Sequence, residues 1–168
     1  MTTPLHIRPF LAIHPPASDA SKVATLPYDV INRDEAKAIA EGNEDSFLVD
    51  RDLGLFIVAD GMGGHRAGER ASSMSVEIVR NALVERRQAI SEQVDLTDEP
   101  SENSPAVNAL RDAMLEANAT VFAASSSDPD LQGMGTTVTS VLILGQQAFI
   151  GHVGDSRAYL LRQDQLYQ

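Results

Sequence analysis

One short stretch constrains the fold more than any other, because an apolar run ends there in an aspartate and a glycine-rich turn. Residues 55–59 read Leu-Phe-Ile-Val-Ala, Asp60 follows, and glycines stand at positions 61, 63, 64 and 68. A short apolar run bounded by turn residues is typical of a buried strand, whose rigid end holds a side chain in a fixed place. A carboxylate beside exposed backbone carbonyls suits a hard cation. Because aspartate and glycine are also ordinary turn residues, a metal site and a plain capped turn both remain open at this point.

Composition excludes several classes of function. The chain has 168 residues, the usual size of one domain, and carries a net charge of −11, which argues against general nucleic-acid binding. It contains no cysteine, so disulfides, thiolate catalysis and cysteine-based zinc sites are excluded. No apolar run approaches the roughly 20 residues that span a bilayer, and no secretory signal pattern is present. We therefore expect a cytoplasmic protein without nucleic-acid or membrane partners.

The order of the predicted elements indicates an α+β fold. Apolar patterning and turn residues predict strands at 46–50, 55–60, 136–144, 148–153 and 156–162, helices at 67–93 and from Pro105 onward, and loops at 94–103 and 125–130. We expect tight turns at residues 51–54 and 145–146, and another at 164–165. Strands grouped at both ends of two helices favour an antiparallel sheet packed by helices over alternating βαβ units.

The first 42 residues differ from the rest in their sequence pattern. They contain prolines at positions 9, 15, 16 and 27, which favour irregular or extended backbone. Asn32 and Glu35 have the spacing of a helix cap and its reciprocal partner, so a short helix is predicted at 33–41, ending at Gly42. We expect residues 1–42 to be a segment of different origin from 43–168.

Four motifs in residues 43–168 resemble the bacterial branch of the metal-dependent type 2C serine/threonine protein phosphatases. They are Asn-Glu-Asp-Ser at 43–46, Ala-Asp-Gly-Met-Gly-Gly-His at 59–65, Gly-Met-Gly-Thr-Thr at 133–137 and Gly-His-Val-Gly-Asp-Ser-Arg at 151–157. They occur in the order of the family. The resemblance implies an antiparallel β-sandwich flanked by helices and a site for two Mn²⁺ or Mg²⁺ ions that activate water for phosphomonoester hydrolysis.

The resemblance also implies roles for individual residues. Asp60 would bridge the two metals, and the carbonyl of Gly61 would coordinate one of them. Glu44 and Asp45 match the acidic pair that binds metal or its waters, and the direct ligand of the two stays open. Two further residues have weaker assignments, each beside a plain alternative: Asp130 as ligand of a third ion or a surface-loop residue, and His65 as proton donor, substrate contact or turn histidine.

Two departures from the family weigh against catalysis. The resemblance implies a phosphate-binding arginine shortly before the acidic pair, where this sequence has Ala40. It also implies further strands and two more metal-binding aspartates after residues 151–157, whereas the sequence stops at Gln168. From these departures we expect a domain incomplete at its C-terminus, a half-site that binds one ion weakly, and open sheet edges that favour a homo-oligomer.

Residues 1–43 resemble the N-terminus of a conserved bacterial family of unknown function. The resemblance rests on residues 7–10, 22–31, 35–36 and 41–43, and the two resemblances meet within residues 41–47. The chain therefore reads as a chimera, with a diverged phosphatase carrying an unusual N-terminus as the alternative. Two functions follow as hypotheses: a phosphatase acting on phosphoserine or phosphothreonine proteins, and a non-catalytic phosphatase-like chain that self-associates or binds partners.

Overall fold

The computed structural model describes residues 43–93, 104–145 and 147–168. The predictions made for residues 1–42, including the helix at 33–41, and for the loop at 94–103 lie outside the described residues. Within them, no helix combines the length and the apolarity that crossing a membrane requires.

Eight strands and three α-helices make up the described part of the chain. The strands are β1 (Ser46–Asp50), β2 (Leu55–Ala59), β3 (Gly61–Met62), β4 (Gly135–Thr136), β5 (Val138–Leu144), β6 (Gln147–Val153), β7 (Leu160–Arg162) and β8 (Gln165–Tyr167). The helices are α1 (His65–Glu85), α2 (Arg87–Gln93) and α3 (Pro105–Ser127), and a 3₁₀ turn (Pro129–Leu131) follows α3. The predicted α+β class and its antiparallel sheet are confirmed.

The main sheet has four strands in the order β1-β2-β5-β6, and every neighbouring pair is antiparallel. A second, two-stranded ladder joins β3 to β4, and a third joins β7 to β8. The β3–β4 ladder pairs Gly61 with Thr136. It therefore connects the end of β2, where Asp60 lies, to the residues that lead into β5.

The core lies between one face of the main sheet and helices α1 and α3. From the sheet it takes alternate residues of β2 and β5–β6, such as Leu55, Ile57 and Phe149, which are at most 1% exposed. From the helices it takes Val79, Leu83 and Leu110 together with small residues, chiefly alanines. Small helix residues let the helix backbones approach the sheet closely, so the sheet end beside Asp60 rests on a packed support.

Helix boundaries differ from the sequence prediction at three places, the first of which is the start of α1 at His65 and not at residue 67. The single helix predicted at 67–93 is two helices, because the chain leaves helical geometry at Arg86 (φ −92°, ψ 1°). The loop predicted at 125–130 is wrong for its first half, since α3 continues to Ser127 and only then passes into the 3₁₀ turn. The start of α3 is as predicted: Ser104 caps it by accepting a hydrogen bond from the Val107 amide at 3.3 Å.

Strand boundaries differ in the C-terminal part. The strand predicted at 136–144 is interrupted at Thr137, and the strand predicted at 156–162 exists only from Leu160 onward. The last hairpin turns at Gln163 and Asp164, one residue earlier than predicted, with φ values of 50° and 60°. Positive φ at both central residues is the geometry of a two-residue type I′ hairpin.

Candidate metal centre at the end of β2

Asp60 follows the last residue of β2, and its backbone is fixed on both sides by the segment 136–137. The Asp60 amide donates to Oγ1 of Thr137 at 3.1 Å. The Asp60 carbonyl accepts from the Thr137 amide at 2.8 Å and from Oγ1 of Thr136 at 2.9 Å. Thr137 is 2% exposed and also contacts Oγ of Ser156 at 2.8 Å. The exposed carboxylate of Asp60 is thus carried by a backbone that cannot turn freely.

Glu44 lies beside this turn and is held by its own backbone carbonyl. That carbonyl accepts from the Gly61 amide at 3.2 Å and from the buried Ser72 hydroxyl of α1 at 2.6 Å. The Glu44 carboxylate lies against the Cα of Gly68, also in α1, where a Cβ would collide with it. A Cβ on Gly61 would lie 2.5 Å from the Glu44 carbonyl oxygen, so this close approach requires glycine.

Asp45 brings a second carboxylate to Asp60. Its amide donates to Oδ1 of Asn43 at 3.0 Å, which fixes the chain just before β1. The pKa of Asp45 is raised by partial burial of its carboxyl group, then by the negative charge of Asp60, by a hydrogen bond between the two side chains and by the charge of Glu44. A hydrogen bond between two carboxyl groups requires a proton on one of them, and ionising both places two negative charges side by side. A cation placed between them would remove that repulsion.

The structure places the two members of the acidic pair differently. Asp45 meets Asp60, whereas the Glu44 side chain packs on α1. Which of the two is the direct metal ligand stays a prediction.

Two weaker sequence assignments, His65 and Asp130, stay predictions. His65 is the first residue of α1, after Gly64 at φ 86°. Asp130 is exposed on the 3₁₀ turn after α3, where its amide donates to Oδ1 of Asp128 at 2.9 Å, as in an ordinary turn.

Sequence reasoning missed the threonines that position Asp60. Thr136 and Thr137 were predicted only as strand residues, although the Gly-Met-Gly-Thr-Thr motif that contains them was recognised. The available signal was a pair of threonines at a motif boundary, whose hydroxyls can bond to backbone groups and interrupt a strand.

The donor set fits one divalent cation better than two. Two carboxylates, a neighbouring backbone carbonyl and water are the ligands that Mg²⁺ and Mn²⁺ prefer. Across residues 43–93, 104–145 and 147–168, no group of three or more acidic, histidine or cysteine side chains is arranged to hold a metal. Two ions close together need several carboxylates to offset their repulsion. Within the described residues, the pair of Asp45 and Asp60 meets the demand of a single ion.

A cavity of about 230 Å³ is lined by residues of the β3–β4 ladder and of α3. Its lining includes Met62, Met114 and Met134 and contains no carboxylate and no basic group. It therefore offers a phosphate no cationic group, only neutral polar side chains such as that of Asn118.

Comparison with known protein families shows which family has the motifs that form this site. The family model for protein phosphatase 2C matches residues 38–168. The chain belongs to the protein phosphatase 2C family. A second model, for a protein family of unknown function (DUF1015), matches residues 7–49, so the two matches overlap at residues 38–49.

Two bacterial members of the 2C family illustrate how much of a relative the chain covers. The serine/threonine phosphatase stp of Listeria welshimeri is 40% identical over 114 residues, which are 68% of this chain and 41% of that protein. The serine/threonine protein phosphatase PstP of Mycobacterium tuberculosis is 38% identical over 136 residues, which are 81% of this chain and 23% of that protein. The chain thus spans less than half the length of these curated relatives.

Solved structures of the 2C family share the fold. The crystal structure of the catalytic domain of PstP in complex with two manganese ions matches with a TM-score of 0.55 at 32% identity, covering 95% of this chain and 53% of that one. The crystal structure of the phosphatase Stp1 from Staphylococcus aureus matches with a TM-score of 0.58 at 24% identity, covering 99% of this chain and 53% of that one. The latter comparison shows the fold alone.

Proposed function

We propose that this chain binds a divalent cation, Mn²⁺ or Mg²⁺, through Asp60 and Asp45 and acts as a phosphatase on phosphoserine and phosphothreonine in proteins. The observation that carries the proposal is the pair of facing carboxylates on a backbone fixed by Thr137. Membership of the 2C family supports the same chemistry. The manganese found in the PstP structure supports the choice of metal.

The proposed roles follow from position. Asp60 and Asp45 hold the cation, and the Gly61 carbonyl adds a ligand beside them. Glu44 supplies negative charge next to the pair and orients the water around the ion. When bound, a divalent ion lowers the pKa of water and neutralises the charge that develops on a phosphoester during attack. Thr137 keeps the Asp60 backbone from moving as that charge changes.

His65 as a proton donor to the leaving serine or threonine oxygen, and Asp130 as ligand of a further ion, stay predictions. Substituting His65 by glutamine is expected to slow hydrolysis while leaving Mn²⁺ affinity unchanged. Substituting Asp130 by asparagine is expected to weaken only the part of the activity that needs the highest metal concentration. If neither variant differs from the parent chain, both assignments fail.

The deciding experiment measures binding and turnover separately. Calorimetric titration with Mn²⁺ gives the affinity, and phosphate release from p-nitrophenyl phosphate and from a phosphothreonine peptide gives the activity. We expect both signals in the full chain and neither in Asp60→Asn. Asp155→Asn is the matched control, because it makes the same change at another exposed strand end beside a glycine.

Well-folded protein that binds Mn²⁺ but releases no phosphate at millimolar metal would contradict the catalytic part of the proposal. It would favour the second candidate, a non-catalytic phosphatase-like chain that self-associates. One observation favours that candidate: the described residues gather two carboxylates for a metal but no group of three or more metal-binding side chains. The edges of the main sheet, β1 and β6, are the places where such association through strand pairing is predicted.

The organisation of the chain is likewise a proposal: residues 1–42 have a different origin from residues 43–168. The overlap of two family matches at residues 38–49 supports it. Limited proteolysis of the full chain, followed by mass spectrometry, tests it. We expect a resistant fragment that begins near residue 43, and early cuts inside β1–β6 would contradict the boundary. Cytoplasmic location and the lack of nucleic-acid partners stay predictions.

A further inference from the structure

The peptide group that joins Glu44 to Asp45 is held at both of its polar atoms. Its carbonyl oxygen, on Glu44, accepts from the Ser72 hydroxyl at 2.6 Å and from the Gly61 amide at 3.2 Å. Its amide, on Asp45, donates to Oδ1 of Asn43 at 3.0 Å. Because a peptide group is planar, fixing both polar atoms fixes the direction in which the chain continues to the Asp45 Cα. These contacts therefore set the backbone that carries the Asp45 carboxylate.

Ser72 makes the contact that comes from the protein interior. It is 0% exposed within α1, whereas Asn43 is exposed. A serine inside a helix commonly donates to a carbonyl of the preceding turn. Ser72 does approach the Glu69 carbonyl, at 3.1 Å, but its shorter contact leaves the helix for the carbonyl of Glu44, 28 residues earlier. The buried hydroxyl thus ties α1 to the segment before β1.

The hydroxyls around Ser72 have one consistent set of donors and acceptors. Ser72 has a single hydroxyl proton, a carbonyl can only accept, and the contact with the Glu44 carbonyl is the shortest, so the proton lies there. The 2.9 Å contact between the hydroxyls of Ser72 and Ser46 then requires Ser46 to donate. Because Ser46 is the first residue of β1, Ser72 bonds both to the start of this strand and to the segment just before it.

Gly68 lies one helical turn before Ser72 on the same face of α1 and leaves space for the Glu44 side chain. A Cβ at Gly68 would collide with Oε2 of Glu44 and would lie 2.7 Å from its Cδ. Glycine inside a helix is less favourable than alanine, and this close approach explains its place here. Helix α1 therefore holds Glu44 at two points, the carboxylate at Gly68 and the backbone carbonyl at Ser72.

Asp60, which the Asp45 side chain meets, is held by a different part of the chain. Its backbone bonds to Thr137, just before β5. Each of the two facing acids thus has its own buried hydroxyl, since Thr137 is 2% exposed and Ser72 is 0% exposed. A cation shared by two carboxylates needs both in fixed positions, so loosening either support is expected to weaken binding.

We propose that Ser72 is a positioning residue of the metal centre, whose hydroxyl holds the peptide group between Glu44 and Asp45 so that the Asp45 carboxylate faces Asp60. The inference rests on the proposed function in one respect, because it takes the pair of Asp45 and Asp60 as the place where the cation binds. Ser72 itself is fully buried and acts through the backbone that carries Asp45.

Amide hydrogen exchange of the full chain in EDTA, measured by NMR, tests the holding contact without any cation. The Gly61 amide reports on it, because that amide donates to the same Glu44 carbonyl. We expect Ser72→Ala to speed its exchange by about fivefold or more, since the group that it bonds to has lost its buried donor. Ser75→Ala is the matched control, because Ser75 is 2% exposed on the same helix and lines the cavity beside α3. An unchanged rate in Ser72→Ala, or an equal rise in both variants, overturns the proposal.

Mn²⁺ binding, followed by the loss of the EPR signal of the free ion, tests the consequence for the metal. We expect Ser72→Ala to lower the affinity by about fivefold or more and Ser75→Ala to leave it within about twofold, at a temperature where urea denaturation shows both variants folded. If Ser72→Ala does not fold, Ser72→Cys takes its place with the same expected loss, because a thiol has a similar size but is a weak donor. Equal affinities in the parent and the Ser72 variant overturn the proposal.

A double variant shows whether the effect passes through Asp45. In a chain that carries Asp45→Asn, the carboxylate that Ser72 positions has already lost its charge, so adding Ser72→Ala is expected to cost less than about twofold in further affinity. The same loss with and without Asp45→Asn overturns the proposal. A parent chain that binds no Mn²⁺ contradicts the proposed function instead, and the exchange rate of the Gly61 amide then decides whether Ser72 holds the segment.

Discussion

Two strand ends in this molecule each present an exposed aspartate beside a glycine, and their surroundings differ in charge. Asp60 follows β2 and meets the carboxyl group of Asp45. Asp155 follows β6 and Gly154, and its charge acts on Arg157, whose pKa is raised first by a hydrogen bond with Tyr159 and also by Asp155. The first end therefore brings two carboxyl groups together, whereas the second places a single carboxylate near a guanidinium.

This difference indicates that Asp60, and not Asp155, is the candidate for binding a cation. An acid beside an arginine already has its counter-ion, whereas two acids beside each other lack one. Both ends are joined through Thr137, whose hydroxyl accepts from the Asp60 amide and contacts Ser156. The two strand ends thus share the support of Thr137, and they differ in the charged groups that lie nearby.

The largest loss of stability is expected from adding a side chain at Gly61, next to Asp60. Gly61→Ala places a methyl group against the carbonyl oxygens of Gly68 and Glu44, which are backbone atoms and cannot rotate away. We expect unfolding free energy to fall by about 3 kcal/mol or more, since overpacking against backbone is among the costliest changes. Urea denaturation measures it.

Gly64→Ala serves as the control for Gly61→Ala. A Cβ on Gly64 meets nothing within 4 Å, so only the strain of its backbone at φ 86° and ψ 138° remains, which costs about 1–3 kcal/mol. Equal losses in the two variants would show that the close approach at Gly61 carries no special cost.

The next largest loss of stability is expected at Thr137, whose hydroxyl links the two strand ends. Thr137→Val keeps the shape of a buried side chain but leaves the Asp60 amide and Ser156 without their partner, so we expect a loss of about 1–2 kcal/mol in urea denaturation. Thr137→Ser retains the hydroxyl and is expected to lose less. Ser156→Ala should cost less than Thr137→Val, and the reverse order would shift the support of Asp60 away from Thr137.

Metal affinity separates the two aspartates directly. Asp60→Asn removes one of two facing charges, and we expect Mn²⁺ affinity measured by calorimetry to fall at least tenfold, which is about 1.4 kcal/mol. Asp155→Asn should leave it within about twofold, because Asp155 is not among the groups that raise the pKa of Asp45. Similar losses in both variants would mean that overall negative charge, and not this pair, attracts the metal.

The smallest effect is a gain of stability from removing Asp45 in the absence of metal. The pKa of Asp45 is raised above 3.8 in the folded chain, so the folded state binds the proton more tightly than the unfolded state. Stability is therefore lost as pH rises from 3.8 towards the raised value, and the loss persists at neutral pH. The site is exposed, so we expect Asp45→Asn to gain less than about 1 kcal/mol, a Tm increase of about 1–3 °C at pH 7 in EDTA.

Thermal melts between pH 3 and pH 7 check this prediction. The advantage of Asp45→Asn should shrink as pH falls below the raised pKa, because the wild-type carboxyl group then carries a proton. Added Mn²⁺ should reverse the order of the two proteins at neutral pH. A variant that is less stable than the parent at every pH without metal would show that Asp45 is not strained by its neighbours.

Local patterns were enough to predict much of the fold. The turn before β2 is an example: the Gly54 amide donates to the Arg51 carbonyl at 3.3 Å, and Gly54 has φ 67°, as an aspartate and a glycine at a hairpin favour. The cap of α3 is another, since Ser104 before Pro105 is a helix start that depends only on neighbours in sequence. The predicted antiparallel sheet and the position of Asp60 at a strand end follow from the same kind of signal.

Other features depend on contacts between distant parts of the chain. The break at Thr137 arises because its amide and hydroxyl bond to Asp60, 77 residues earlier, and no pattern within 136–144 contains that information. At the break between α1 and α2, one contact of Arg86 is also distant in sequence: its Nη2 lies 3.7 Å from Glu116 of α3. The apolar periodicity continues across Arg86 and therefore predicted one helix.

The sequence by itself determined that a carboxylate stands at the end of a buried strand in a glycine-rich turn, since that depends on the local order of apolar, acidic and glycine residues. Only the tertiary structure decided that Asp45 lies against Asp60 while the Glu44 carboxylate lies against Gly68, because the second contact joins the segment before β1 to α1. It also decided which apolar residues of the main sheet are exposed, among them Phe47 and Val58. Strand patterning shows which residues alternate, but burial depends on what packs against each face.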